Sequence, residues 1–150
     1  LLEALLPSNE LQVKRSFEMV KQAGRKRVGA LGFSFKAGTD DLRESPMVEL
    51  IETLIGKGYQ VKIYDKNVSL ARLHGANKAY IEREIPHIAT LMCESIDEVL
   101  AESDVIVIGN KAPEFRAALE RLRPDQVVVD LVRITPDAGA LNGQYQGLCW

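Results

Sequence analysis

Cysteine is scarce in this chain. Only Cys93 and Cys149 occur, and neither has a second cysteine at metal-ligand or redox spacing, so both read as small buried hydrophobes. Aromatic residues make up only 6%, and 19 basic residues nearly balance 21 acidic ones to leave a net charge of -2. No polybasic block is present, and the cluster Arg25, Lys26 and Arg27 is a short run leading into a strand, so an extended nucleic-acid surface is excluded. The apolar runs are far too short to span a bilayer, and no charged-then-apolar leader precedes a small-residue cleavage site. The expectation is a soluble, cytoplasmic protein with no membrane partner. His74 and His87 stand isolated, Asp40 and Asp41 alone would make a poor metal cage, and no Gly-x-x-x-x-Gly-Lys-Ser/Thr run occurs. Metal binding and nucleotide hydrolysis therefore have no support. No serine, histidine and acid fall into a telling nucleophile arrangement, and no catalytic residue is assigned.

What is present suits one ordinary globular domain. The 150 residues are 46% hydrophobic, enough for a core but not for a second complete domain. Residues 1–6 and 8–23 read as helices divided at Pro7, with Ser8 as N-cap and Val13, Phe17 and Val20 as an apolar stripe. Strands are expected at 28–33, 60–65, 105–109, 126–132 and 144–150, with a short edge strand at 90–94. Helices are expected at 46–57, 67–73, 79–85, 95–101 and 113–122. The alternation predicts a Rossmann-like α/β domain, a parallel sheet with helices on both faces, preceded by an N-terminal helical segment. Six strands in the order 3-2-1-4-5-6 are expected, with ligands beyond the carboxyl ends of the strands.

At that edge lies the most informative segment, the polar loop 33–45 between the first strand and its helix. Ser45 sits where an N-cap belongs and Pro46 at the first helical position. A helix N-terminus favours anions, and Lys36 and Arg43 add full charges to a corner suited to phosphate. Asp40, Asp41 and Glu44 equally allow a solvated loop in which the cations are neutralised, and the residues alone leave both readings open. Phe33, Phe35 and Lys36 stand where a dinucleotide site would need Gly-x-Gly-x-x-Gly, so a self-sufficient NAD site is not expected. Asp65, at the end of the second strand, is placed either to grip a ribose or to cap a turn.

The string Phe35-Lys36-Ala37-Gly38-Thr39-Asp40-Asp41-Leu42-Arg43-Glu44-Ser45-Pro46, after the strand end Leu31-Gly32-Phe33, resembles the signature of the C-terminal, nucleotide-sugar-binding domain of the UDP-glucose/GDP-mannose dehydrogenase family. The likeness extends through His74-Gly75-Ala76-Asn77-Lys78 to the ending Gly147-Leu148-Cys149-Trp150. Gly109-Asn110-Lys111 replaces the Thr-Glu-Trp common in UDP-glucose dehydrogenases, which favours the GDP-mannose branch.

The resemblance implies that Phe35 and Lys36 contact a nucleotide sugar, GDP-mannose before UDP-glucose, and that Arg43 contacts NAD held mainly by another domain. It also implies a substrate contact for Arg133, although Asp130-Leu131-Val132-Arg133 sets the arginine one place later than the Asp-x-Arg of the UDP-glucose type. Residues 1–24 would be the tail of a central dimerisation domain and 25–150 the nucleotide-sugar domain, in a homodimer or higher homo-oligomer. The family nucleophile, in a Gly-x-Cys-x-Pro-Lys type motif, has no counterpart here. With no initiator methionine before Leu1, a fragment without dehydrogenase activity of its own is expected. A non-catalytic nucleotide-binding module or an assembly domain built on helix 8–23 are the alternatives.

Overall fold

The computed structural model describes the backbone of residues 2–33, 46–71, 83, 86–134 and 144–147, and the side chains of these except at 2–9, 69–71, 144, 146 and 147. In chain order the elements are α1 (Leu2–Gln22), β1 (Arg27–Leu31), α2 (Pro46–Gly56), β2 (Gln60–Tyr64), α3 (Lys66–Ala71), α4 (Pro86–Ala89), α5 (Ile96–Glu102), β3 (Val105–Ile108), α6 (Pro113–Ala118), a 3-10 turn (Leu119–Arg121), β4 (Val127–Asp130) and β5 (Gln144–Gly147). The five strands form one sheet in the order β2-β1-β3-β4-β5, and every pairing is parallel.

A parallel sheet must be covered on both faces, and its central strands read as continuous apolar runs for that reason. Val105, Ile106, Val107 and Ile108 of β3 are all buried, as are all four residues of β4. Successive side chains point to opposite faces. Val105, Val107, Val127 and Val129 accordingly join a core with Val13 and Val20 of α1 and Leu50, Ile51 and Leu54 of α2. Ile106, Ile108 and Val128 join a second core with Val99 and Leu100 of α5 and Phe115 of α6. The expected three-layer, Rossmann-like α/β arrangement is the one observed.

Two expectations need correction. The N-terminal segment is one helix running through Pro7, not two helices divided there. Proline in a helix removes its own bond to the carbonyl four residues back. Only the bond to Glu3 is forfeited, close to the helix start, while burial of Val13, Ser16 and Val20 holds the turns that follow. The edge strand at 90–94 shrinks to a single parallel bridge between Ile63 and Met92. Its two hydrogen bonds, Ile63 N to Leu91 O at 3.0 Å and Cys93 N to Ile63 O at 2.7 Å, place it beside β2, where a third strand was expected. It extends no further because its neighbours are engaged. Leu91 N and Met92 N bond back into α4, Glu94 N donates to the Glu98 carboxylate, and the Ser95 hydroxyl accepts from Glu98 N as the N-cap of α5. The expected helix 79–85 lies outside the described residues apart from Arg83, and the expected cap Ser45 lies outside them as well.

Candidate functional site

All five strands end on the same edge, and the first crossing in strand order falls between β1 and β3. Beyond β1 the chain passes through Gly32, with φ of 91°, to the buried Phe33. Beyond β3 it passes through Gly109 and the buried Asn110. These two exits are pressed together. A Cβ on Gly32 would stand 2.8 Å from Asn110 N, and one on Gly109 would stand 2.5 Å from Gly32 O and 2.7 Å from Met47 Sδ. The start of α2 is thus seated directly over the switch point, with Pro46 as its first residue, as expected.

Asn110 is consumed by structure, since its Oδ1 accepts from Ala112 N at 3.2 Å and so turns the chain into α6. Asp65 is consumed likewise. Its Oδ1 accepts from Asn67 N at 3.0 Å and Val68 N at 3.4 Å, capping α3, while its Oδ2 accepts from Phe33 N at 2.9 Å. Of its two sequence readings, the structure places this carboxylate as a cap that also fixes the departure of the polar loop.

Phe35, Lys36 and Arg43 lie outside the described residues. The described chain fixes the two ends of their loop, Phe33 and Pro46, at the switch point. Arg133 is described, and stands exposed on the turn beyond β4 with φ of 54°. That turn is bound to the neighbouring exit, because Asp130 pairs with Ile108 and Leu131 N donates to Ile108 O at 3.1 Å. The sheet therefore brings Arg133 to the edge from which the loop carrying Lys36 departs.

Sequence reasoning missed Tyr145 and saw Asp130 only as the acid of an Asp-x-Arg likeness, yet these two shape the turn. Asp130 is fully buried; its Oδ1 accepts from Val132 N at 3.0 Å and its Oδ2 from Ile134 N at 2.8 Å. The Tyr145 hydroxyl, brought alongside by β5, donates to the same Oδ2. Burial first, then the hydrogen bond to Asp130 and its charge, push the Tyr145 phenol well above the ordinary tyrosine range, against a smaller opposing pull from Arg133. The available signal was the single acid closing Val127-Val128-Val129, since a lone carboxyl in an apolar strand must find donors.

Cys93 is buried, and burial raises its thiol above the usual range. Among the described residues no three His, Cys, Asp or Glu side chains are grouped to hold a metal, and no helix is long and apolar enough to cross a membrane.

Residues 29–137 match the UDP binding domain of the UDP-glucose/GDP-mannose dehydrogenase family. The chain belongs to this family. Over all 150 residues it is 48% identical to GDP-mannose 6-dehydrogenase of Pseudomonas putida and 47% identical to that of Azotobacter vinelandii, covering 34% of each. Among solved structures, a ternary complex of GDP-mannose dehydrogenase from Pseudomonas aeruginosa superposes with a TM-score of 0.89 at 48% identity, over 99% of this chain and 34% of that one. A UDP-glucose dehydrogenase from Pyrobaculum islandicum superposes with a TM-score of 0.70 at 26% identity, over 99% of this chain and 32% of that one. The family member described here thus spans about a third of the relatives it matches.

Proposed function

We propose that the chain is the nucleotide-sugar-holding domain of an NAD-dependent nucleotide-sugar 6-dehydrogenase, and that its ligand is GDP-mannose, oxidised at C6 to GDP-mannuronate by the whole enzyme. The observation that carries this reading is the identity to GDP-mannose 6-dehydrogenases, 48% without a break in coverage from Leu1 to Trp150. Phe35 and Lys36 bind the nucleotide sugar, with Arg133 approaching from the turn after β4. A lysine supplies a point charge to a diphosphate, and an arginine engages its oxygens as a fork.

A self-contained NAD site does not fit the residues present. The first turn carries Gly32-Phe33 against Asn110 with no space for a Cβ, and both oxygens of Asp65 are already engaged by backbone N–H groups. NAD belongs mainly to another domain, with Arg43 reaching toward it. The buried Cys93, its thiol shifted away from ionisation, is no substitute for the family nucleophile. The chain alone is therefore inactive. Residues 1–24 belong to a central domain through which the enzyme forms a homodimer in the cytoplasm.

Calorimetric titration of GDP, UDP and NAD into the chain, with Lys36→Ala as control, tests the reading. GDP is expected to bind most tightly, and loss of the lysine contact to cost about 1.5–3 kcal/mol. A preference for UDP would shift the assignment to a UDP-glucose 6-dehydrogenase. Equal affinity in wild type and Lys36→Ala would show that Lys36 makes no contact with the nucleotide.

A further inference from the structure

We propose that Asp130 and Tyr145 are positioning residues for Arg133: together they lock the turn after β4 in a left-handed conformation that presents the Arg133 guanidinium at the carboxyl edge of the sheet to the diphosphate of a nucleotide. This rests on the nucleotide-binding reading above and gives a role to Asp130 and Tyr145, to which the sequence had assigned none.

Arg133 is the one non-glycine residue with positive φ among the described residues. Arginine has none of the local hydrogen bonding that lets asparagine or aspartate tolerate this region, and strained backbone persists only where its surroundings over-determine it. Here the surroundings are specific. The two oxygens of Asp130 take the N–H groups of Val132 and Ile134, the neighbours of Arg133 on either side, so the carboxylate fixes the peptide that follows Arg133 and the one that enters Val132 just before it.

Asp130 has no solvent exposure, and a buried carboxylate destabilises a fold unless donors surround it. Two amides and the Tyr145 hydroxyl supply those donors. Tyr145 reaches Asp130 because β5 pairs with β4 in a register that sets Val128 beside Tyr145 and Asp130 beside Gly147. Its raised phenol keeps the hydroxyl a donor, and the pull of Arg133 on that phenol places the guanidinium charge within electrostatic reach. A turn required only to reverse the chain would be built at lower cost with glycine at 133 and an apolar residue at 130. The arrangement gives up stability and gains a placed cation on the edge that the polar loop shares.

The test is a double-mutant cycle on the full chain, with GDP and UDP titrated into wild type, Tyr145→Phe, Arg133→Ala and the double variant. Tyr145→Phe and Arg133→Ala are each expected to weaken nucleotide binding about tenfold, the scale of a charge-assisted contact, and the double variant to bind no worse than Arg133→Ala alone. Tyr145→Phe also lowers the melting temperature, but equally in both Arg133 backgrounds, so a purely structural role leaves no coupling in the cycle. Arg133→Gly is expected to match Arg133→Ala in affinity while melting no lower than wild type, because glycine adopts the left-handed turn without strain. If Tyr145→Phe is unfolded at the titration temperature, Asp130→Asn takes its place in the cycle. Equal weakening by Tyr145→Phe in both backgrounds, or an Arg133→Ala variant of wild-type affinity, overturns the inference while Lys36→Ala still loses binding. A wild type that binds neither nucleotide, or a Lys36→Ala variant of full affinity, overturns the nucleotide reading and the inference with it.

Discussion

A single methyl group has no place where β1 and β3 leave the sheet. Gly32 combines a φ of 91° with Asn110 N and Cγ both 2.8 Å from where its Cβ would be. Gly32→Ala therefore adds backbone strain to a clash with buried atoms that have nowhere to go, and is expected to cost about 2–4 kcal/mol. Gly56, in the last turn of α2, is the control, since a Cβ there meets nothing within 4 Å. Gly56→Ala should be neutral or slightly stabilising, because alanine is the better helix residue. Urea unfolding of the two variants measures the difference, and equal stabilities would mean that the junction yields more readily than its contacts imply. This scale was the least legible in the sequence. Asp65 stood out as an acid at a strand end, but whether it held ribose or backbone depended on where Phe33 and Asn67 direct their N–H groups. Asp130 was noticed only as the acid of an Asp-x-Arg likeness, and its bond to Tyr145 depends on a register with β5 that no local pattern encodes.

Elements were legible wherever burial imposed a period. The strands expected at 105–109 and 126–132 are found at Val105–Ile108 and Val127–Asp130, all buried, and of the apolar stripe Met47, Val48, Leu50, Ile51, Leu54 and Ile55 that marks α2 in the sequence, Met47, Leu50, Ile51 and Leu54 are buried. Errors fell where local chemistry competed with tertiary packing, at Pro7 and at 90–94. The amino edge of the sheet shows how charge is used for structure. Arg25 donates to Asp125 O at 2.7 Å, Lys26 lies 4.0 Å over the Tyr59 ring, and Arg27 makes two 3.0 Å bonds to Asp104, so each cation of this cluster has a partner within the domain. Arg123 and Gln126 close the same edge by donating to Leu100 O and Ser103 O at the end of α5. The hydrogen bond from Arg27 holds the Asp104 carboxyl below the usual aspartate range. A depressed folded-state value contributes stability that is complete above the unfolded value, about 3.9, and disappears as pH falls through the folded one. Asp104→Asn should thus lower the melting temperature at pH 7, with the gap to wild type narrowing below about pH 4. A gap of constant size down to pH 2 would show that the aspartate acts by shape alone.

At the scale of the whole molecule, the sheet keeps its two edges for different tasks. Guanidinium groups at the amino edge are tied into carbonyls and carboxylates, whereas at the carboxyl edge an exposed arginine is held in a left-handed turn, on the same edge where Gly32 and Phe33 leave the sheet. On the function proposed above, this edge offers charge to an anionic ligand, and the chain spans 34% of the dehydrogenases it resembles. The consequence can be tested by transplantation. With 48% identity over every residue and a TM-score of 0.89 to a GDP-mannose dehydrogenase, the chain is expected to replace the matching third of the Pseudomonas putida enzyme without disturbing the backbone that the remaining two thirds contact. The chimera should form NADH from GDP-mannose while the chain alone forms none. Lys36→Ala within the chimera should raise KM for the nucleotide sugar, since a contact to a non-reacting phosphate is made equally in ground and transition states. If the folded chimera instead oxidised UDP-glucose in preference to GDP-mannose, nucleotide choice would reside in this third of the enzyme and the GDP assignment would be wrong. If its preference followed the host while Lys36→Ala had no effect, the chain would be an assembly domain that contributes surface and not ligand contacts.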